Sequence, residues 1–131
     1  MLDQLHREEL ALHVTILGWL HILGHAFFLV IGMLGFFLLT GIGVFSGDRE
    51  AMTILSLVGT LGAAFFGIVA LPGLAAGYGL LTRKNWGRIL AIIVGVLGLM
   101  NFPIGTLVGA YTLWVLLQES ATDYFKQPVP A

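Results

Sequence analysis

Charged residues divide the chain into three long apolar stretches. No Asp, Glu, Lys or Arg occurs in residues 10–46, 51–82 or 89–118. An uncharged apolar run of about 18 residues is already a candidate transmembrane helix. A single helix over residues 85–119 would extend about 52 Å, far more than the roughly 30 Å of a bilayer's hydrocarbon core. We therefore expect a reversal within the third stretch.

The segment Met100–Thr106, MNFPIGT, predicts that reversal. Phe102 precedes a proline and is disfavoured in helical conformation. Asn101 can take a left-handed conformation that closes a helix, and Pro103 suits the first turn of the next one. We therefore assign Asn101 and Pro103 as turn residues.

The predicted fold is an all-α membrane protein, a single four-transmembrane-helix bundle that occupies residues 1–131. Its crossings are expected at about residues 12–40, 52–81, 85–101 and 103–119, with a flexible tail over 120–131. A re-entrant pair in place of the third and fourth crossings is the alternative. The N-terminal sequence MLDQLHREEL has no basic region followed by a cleavage site, so no removable signal peptide is expected.

The basic residues predict the orientation. Four crossings place Arg49 on one side of the membrane and the other basic residues with the two termini, namely Arg7, Arg83, Lys84, Arg88 and Lys126. The positive-inside rule then puts both termini in the cytoplasm, which predicts a multi-pass protein of the inner (cytoplasmic) membrane. Arg83, Lys84, Trp86 and Arg88 are expected to fix this topology and to contact lipid headgroups.

Composition agrees with a membrane environment and limits the partners. The 131 residues are 58% hydrophobic and 10% charged, with a net charge of −1. We expect the lipid bilayer as a partner, together with further copies of the chain or other membrane subunits, and no nucleic acid. The chain has no cysteine, which excludes disulfides.

Many of the eighteen glycines lie within the apolar stretches. Small residues let helices approach closely in lipid, where the hydrophobic effect does not hold them together. The glycines predicted to pack helices are Gly24, Gly32, Gly35, Gly73, Gly77, Gly105 and Gly109.

The first predicted helix has two different sides at about 100° per residue. Its small and polar side is expected to face protein and carries His13, Gly18, His21, Gly24, His25, Gly32, Gly35 and Gly43. Its bulky side is expected to face lipid or a partner subunit and carries Ile16, Trp19, Leu20, Leu23, Phe27, Val30, Leu34, Phe37 and Leu38.

The three histidines on the small side are the candidate ligand or proton site. His21 and His25 are one helical turn apart, and His13 lies two turns before His21. Ionisable groups at membrane depth suggest a proton relay, a metal site, or an axial ligand to haem or chlorophyll. No metal site is predicted, because the other crossings supply no Cys, His, Asp or Glu. The simpler interpretation is neutral histidines hydrogen-bonded to backbone carbonyls or to Thr and Tyr of neighbouring helices.

These features favour a non-enzymatic membrane protein. No nucleophile–base pair, carboxylate pair or phosphate-binding loop is found, so no catalytic residue is predicted. We expect a self-associating protein or an accessory subunit of a larger membrane complex. The alternatives are a small oligomeric ion channel or transporter, and a subunit that binds haem or chlorophyll through His21 or His25.

Three segments carry a resemblance to known proteins: HVTILGWLHI at 13–22, LPGLAAGYGLLTRKNWGRILAI at 71–92 and NFPIGTLVGAYTLWVLLQES at 101–120. Together they resemble a group of small, uncharacterised bacterial four-span membrane proteins. The resemblance implies bacterial origin and four crossings, but no activity or site residue. Residues 102–106, FPIGT, also resemble part of the fluoride-channel pattern, but that family's Arg-Tyr and Thr-Thr-Phe-Ser segments are missing here, so we do not assign it.

Overall fold

The chain folds into helices throughout the part described by this computed structural model, residues 6–126. These are α1 (Arg7–Phe45), α2 (Arg49–Leu81), α3 (Asn85–Gly98), α4 (Ile104–Leu116) and α5 (Glu119–Lys126). The predicted all-α class is confirmed. Both α1 and α2 are long and apolar enough to cross a membrane, while α3 and α4 are shorter apolar helices.

The fifth helix corrects the prediction of a flexible tail from residue 120. Ala121, Tyr124 and Phe125 are spaced to share one face of α5, and all three are buried. The prediction rested on the polar composition of this segment, whereas burial of its apolar face stabilises a docked helix. Residues 127–131 of the predicted tail lie outside the described residues.

The turn between α2 and α3 is closed by backbone hydrogen bonds. Lys84 N–H donates to Gly79 O at 2.8 Å, and Arg83 N–H donates to Leu80 O at 3.2 Å. This pair of bonds is the Schellman motif, in which the residue after the C-cap is left-handed and usually glycine. Here that residue is Arg83, with φ 56°.

The reversal between α3 and α4 occupies residues 99–103, but its geometry differs from the expected one. Arg83 is the only non-glycine residue with positive φ in the described chain, so Asn101 does not take the left-handed conformation. Instead, Asn101 N–H donates to Gly98 O at 2.9 Å, and the Thr106 hydroxyl donates to Leu99 O at 2.7 Å. The Thr106 side chain thus closes the turn without a left-handed residue.

The chain divides into two compact units. The composite unit combines described residues 6–23 and 72–126, and the hairpin unit is Gly24–Leu71. The core of the composite unit draws on all five helices and contains Leu10, Val14, Leu17, Ala76, Leu80, Ala91, Val115, Leu116, Ala121, Tyr124 and Phe125.

The hairpin unit holds its two helical segments together along one narrow line. A Cβ added at Gly32 would lie 2.7 Å from Phe66 Cβ, and one added at Gly43 would lie 2.9 Å from Met52 Cα. By contrast, a Cβ at Gly24 or Gly35 would meet no atom of the described residues within 4 Å. These two glycines lie roughly 80° around α1 from the Gly32–Gly43 line, so they do not take part in this helix contact.

The bulky side of α1 is exposed along its length. All nine of its residues are between 40% and 65% exposed.

Candidate functional site

His13 is the histidine that links two helices. Its Nδ1 shares a short hydrogen bond with the Tyr111 hydroxyl of α4. Its ring meets Tyr111 and Trp114 edge-on, at centroid distances of 5.7 and 5.8 Å. Tyr111 and Trp114 in turn stack on each other at 6.2 Å. The three rings form a packed contact between α1 and α4, which we call the aromatic cluster.

His21 is buried, with 2% of its surface exposed. Its Nδ1–H donates to the carbonyl of Leu17, one turn earlier in α1, at 2.9 Å. A carbonyl can only accept, so this bond fixes the ring proton on Nδ1 in the neutral form.

His25 lies in the hairpin unit and is half-buried. Its ring is tilted against that of Phe28, with the centroids 6.4 Å apart. No group of three or more His, Cys, Asp or Glu residues that could hold a metal ion occurs between residues 6 and 126. The three histidines thus have different contacts: His13 bonds to Tyr111 of α4, His21 bonds to a carbonyl of its own helix, and His25 packs against Phe28.

Arg88 and Arg83, two of the four residues predicted to fix the topology, make contacts within the protein. Arg88 Nε donates to the Leu116 carbonyl at 2.9 Å, and Arg88 Nη2 donates to the Thr122 hydroxyl at 2.9 Å. The Arg83 guanidinium lies over the Tyr124 ring, 4.8 Å from its centroid. Both arginines thus hold α5, and we call this set of contacts the α5 clasp. The other two topology residues, Lys84 and Trp86, are exposed.

Close backbone approach explains several glycines of the composite unit. A Cβ at Gly77 would lie 2.7 Å from Gly18 O, where α2 meets α1, and Gly73 is also buried. Between α3 and α4, a Cβ at Gly105 would lie 2.6 Å from Gly98 O, and Gly109 approaches Gly95 O in the same way. The helices of this unit meet where side chains are smallest.

Sequence reasoning missed one glycine contact and the clasp. A Cβ at Gly79 would lie 2.5 Å from the Cα of Gly87. The two glycines belong to different helices, so a search for small residues four apart within one helix does not pair them. Nothing in the sequence specifies Leu116, Thr122 or Tyr124 as partners of the two arginines.

Comparison of the chain with protein-family models, curated proteins and solved structures found no match. The aromatic cluster, the glycine contacts and the α5 clasp are all internal packing and hydrogen bonding. They stabilise the packing of the helices.

The His13–Tyr111 hydrogen bond gives a direct test of the aromatic cluster. Tyr111→Phe removes only the hydroxyl, so we expect a stability loss of about 1 kcal/mol, the usual net value of a neutral hydrogen bond. The matched control is Tyr78→Phe, because Tyr78 is 60% exposed. Thermal unfolding in mild detergent should show a lower midpoint for Tyr111→Phe alone; equal midpoints would mean that the bond contributes nothing.

Proposed function

We propose that this chain is a non-enzymatic integral membrane protein that associates with itself or serves as an accessory subunit of a larger membrane complex. Helices α1 and α2, with 39 and 33 residues, extend about 58 and 50 Å, enough to cross a hydrocarbon core of roughly 30 Å. Their bulky side chains are exposed along most of this length. Lipid or protein has to cover such a surface.

The proposed topology puts both termini in the cytoplasm of a cell whose inner membrane holds the protein. The support is the placement of the basic residues on the side of the termini. The four crossings stay a prediction, because α3 and α4 have only 14 and 13 residues. Each of these helices extends roughly 20 Å, which is less than the core thickness.

Association is supported above all by open glycines on the hairpin unit. Five of its helical glycines leave bare backbone, where an added Cβ would meet no atom beyond its own stretch of helix within 4 Å: Gly24, Gly35, Gly41, Gly62 and Gly67. They lie among large exposed side chains such as Phe37, Leu61 and Phe65. Such notches in an apolar surface let a second helix approach closely, which is how helices associate in lipid.

Disulfide cross-linking tests association directly, because the chain has no cysteine of its own. Gly35→Cys and Gly62→Cys should each give a covalent dimer on mild oxidation in native membranes. Leu17→Cys should not, since Leu17 is 0% exposed. Cross-links to a different protein would identify an accessory role. Protein that stays monomeric at every concentration, with no co-purifying partner, would refute the proposal.

Two alternatives have less support in the structure. A channel would need a path lined by polar groups, whereas His13 and His21 are engaged in packing contacts. Flux through liposomes that falls in His13→Ala and His21→Ala would favour a channel. A haem or chlorophyll band in the visible spectrum, lost in His25→Ala, would favour a pigment-binding subunit.

A further inference from the structure

The reversal between α3 and α4 exposes the most apolar turn of the described chain. We call residues 99–104 the α3–α4 tip. Its side chains of Met100, Phe102 and Ile104 are 86%, 82% and 74% exposed. No charged residue lies between residues 89 and 118, so the tip has no charged neighbour along either helix. In water, such a turn would leave a large apolar patch unprotected.

The turn between α1 and α2 has the opposite chemistry. The segment from Ser46 to Glu50 carries Asp48, Arg49 and Glu50, all exposed. Ser46 and Asp48 also accept backbone hydrogen bonds there: Asp48 N–H donates to Ser46 Oγ at 3.2 Å, and Glu50 N–H donates to Asp48 Oδ1 at 2.9 Å. This turn is suited to water, and the α3–α4 tip is suited to hydrocarbon.

Helix lengths show how deep the tip can reach. Arg88 lies in the first turn of α3, where its guanidinium holds the end of α4 through Leu116 O. Met100 is twelve residues further along, a distance of about 18 Å. If the Arg88 end lies at the headgroups of a core roughly 30 Å thick, the tip stops about 12 Å short of the opposite surface.

Part of the backbone of the tip is hydrogen-bonded within the protein. Met100 N–H donates to Leu97 O at 3.2 Å, Asn101 N–H donates to Gly98 O, and the Thr106 hydroxyl donates to Leu99 O. Pro103 has no N–H to satisfy. These bonds lower the free-energy cost of placing the turn in a low-polarity surrounding, where each unpaired backbone group costs several kcal/mol.

We infer that α3 and α4 form a re-entrant hairpin that enters from the side carrying Arg88 and ends among the acyl chains of the opposite leaflet. The partner of the tip is the hydrocarbon interior of the bilayer. Helices α1 and α2 then cross the membrane, whereas α3 and α4 return to the side from which they entered. This inference rests on the proposed membrane location, and it selects the re-entrant alternative over four crossings.

Single cysteines introduced into the cysteine-free chain test this topology. Phe102→Cys and Met100→Cys report the tip, Glu50→Cys the α1–α2 turn, and Lys84→Cys the α2–α3 turn. An impermeant maleimide is applied to intact spheroplasts and to inverted vesicles. We expect Glu50→Cys to be labelled from outside only and Lys84→Cys from inside only. The two tip variants should show no labelling above background from either side until detergent is added.

Depth is then measured with a bimane fluorophore on each tip cysteine. Lipids brominated along the acyl chain should quench its emission, and a water-soluble quencher should not. Labelling of both tip variants from the side that labels Glu50→Cys would show that α3 and α4 cross, and labelling from the side of Lys84→Cys would place the hairpin outside the bilayer. Either result overturns the inference while leaving membrane location intact. Extraction of the protein by alkaline carbonate would instead refute the membrane proposal itself.

Discussion

Gly79→Ala should destabilise the protein by about 1–3 kcal/mol, the range measured for overpacking a close-packed interior. The added methyl group would lie 2.5 Å from the Cα of Gly87 and 3.2 Å from its N. Both are backbone atoms, so no side chain can rotate away and α2 and α3 have to separate. Because the two helices are joined by a tight turn, that separation also strains the hydrogen bonds of Lys84 and Arg83.

The matched control is Gly62→Ala, measured on monomeric protein so that association does not contribute; a Cβ added at this helical glycine would meet no atom beyond its own stretch of helix within 4 Å. Alanine exceeds glycine in helix propensity by about 1 kcal/mol, so this variant should be neutral or more stable. Thermal unfolding of the two variants in the same detergent gives the comparison. Equal losses would show that the cost arises from helix backbone effects and not from contact between Gly79 and Gly87.

Arg88→Met should release α5 and lower stability by about 2–4 kcal/mol. A hydrogen bond to a charged group contributes about 1.5–3 kcal/mol, and here two bonds share one partly exposed guanidinium, so their sum is an upper limit. Methionine keeps an apolar side chain of comparable length but donates to neither Leu116 O nor Thr122 Oγ1. Arg88→Lys should give an intermediate loss, because an ammonium group lacks the fork that reaches two acceptors at once. Thr122→Val removes one of the two bonds and should cost less than Arg88→Met.

Limited chymotrypsin digestion measures the docking of α5 itself, in addition to the stability of the whole protein. Tyr124 and Phe125 are 5% and 4% exposed, so they are protected while α5 is docked. Cleavage at these residues should accelerate most in Arg88→Met and least in Thr122→Val. Unchanged cleavage in Arg88→Met would show that apolar burial alone holds α5 and that the clasp contributes nothing.

The long helices could be predicted from sequence because one property decides them. Uncharged apolar runs such as residues 10–46 satisfy their backbone only as helices if lipid is the solvent, and the charges at 48–50 mark where the first run ends. The bulky side of α1 followed from the 3.6-residue period for the same reason. Both features depend on residues that are close together in sequence, so the sequence pattern was enough to predict them.

What the sequence could not specify depends on groups that are distant along the chain. The hydrogen bonds of Arg88 join it to Leu116 and Thr122, about 30 positions away. Residues 119–126 are mostly polar, and their few apolar residues form a buried face only because the core lies next to α5. Gly24 and Gly35 were assigned to packing because they share a broad side of α1 with Gly32. The actual contact line covers only part of that side, and its position depends on where α2 lies.

The core of the composite unit has a consequence for synthesis. It joins Leu10 and Val14, near the start of the chain, to Tyr124 and Phe125, near its end. During translation the hairpin unit has both of its segments long before α5 leaves the ribosome. The first turns of α1 therefore stay incompletely covered in the nascent chain until α5 has been synthesised.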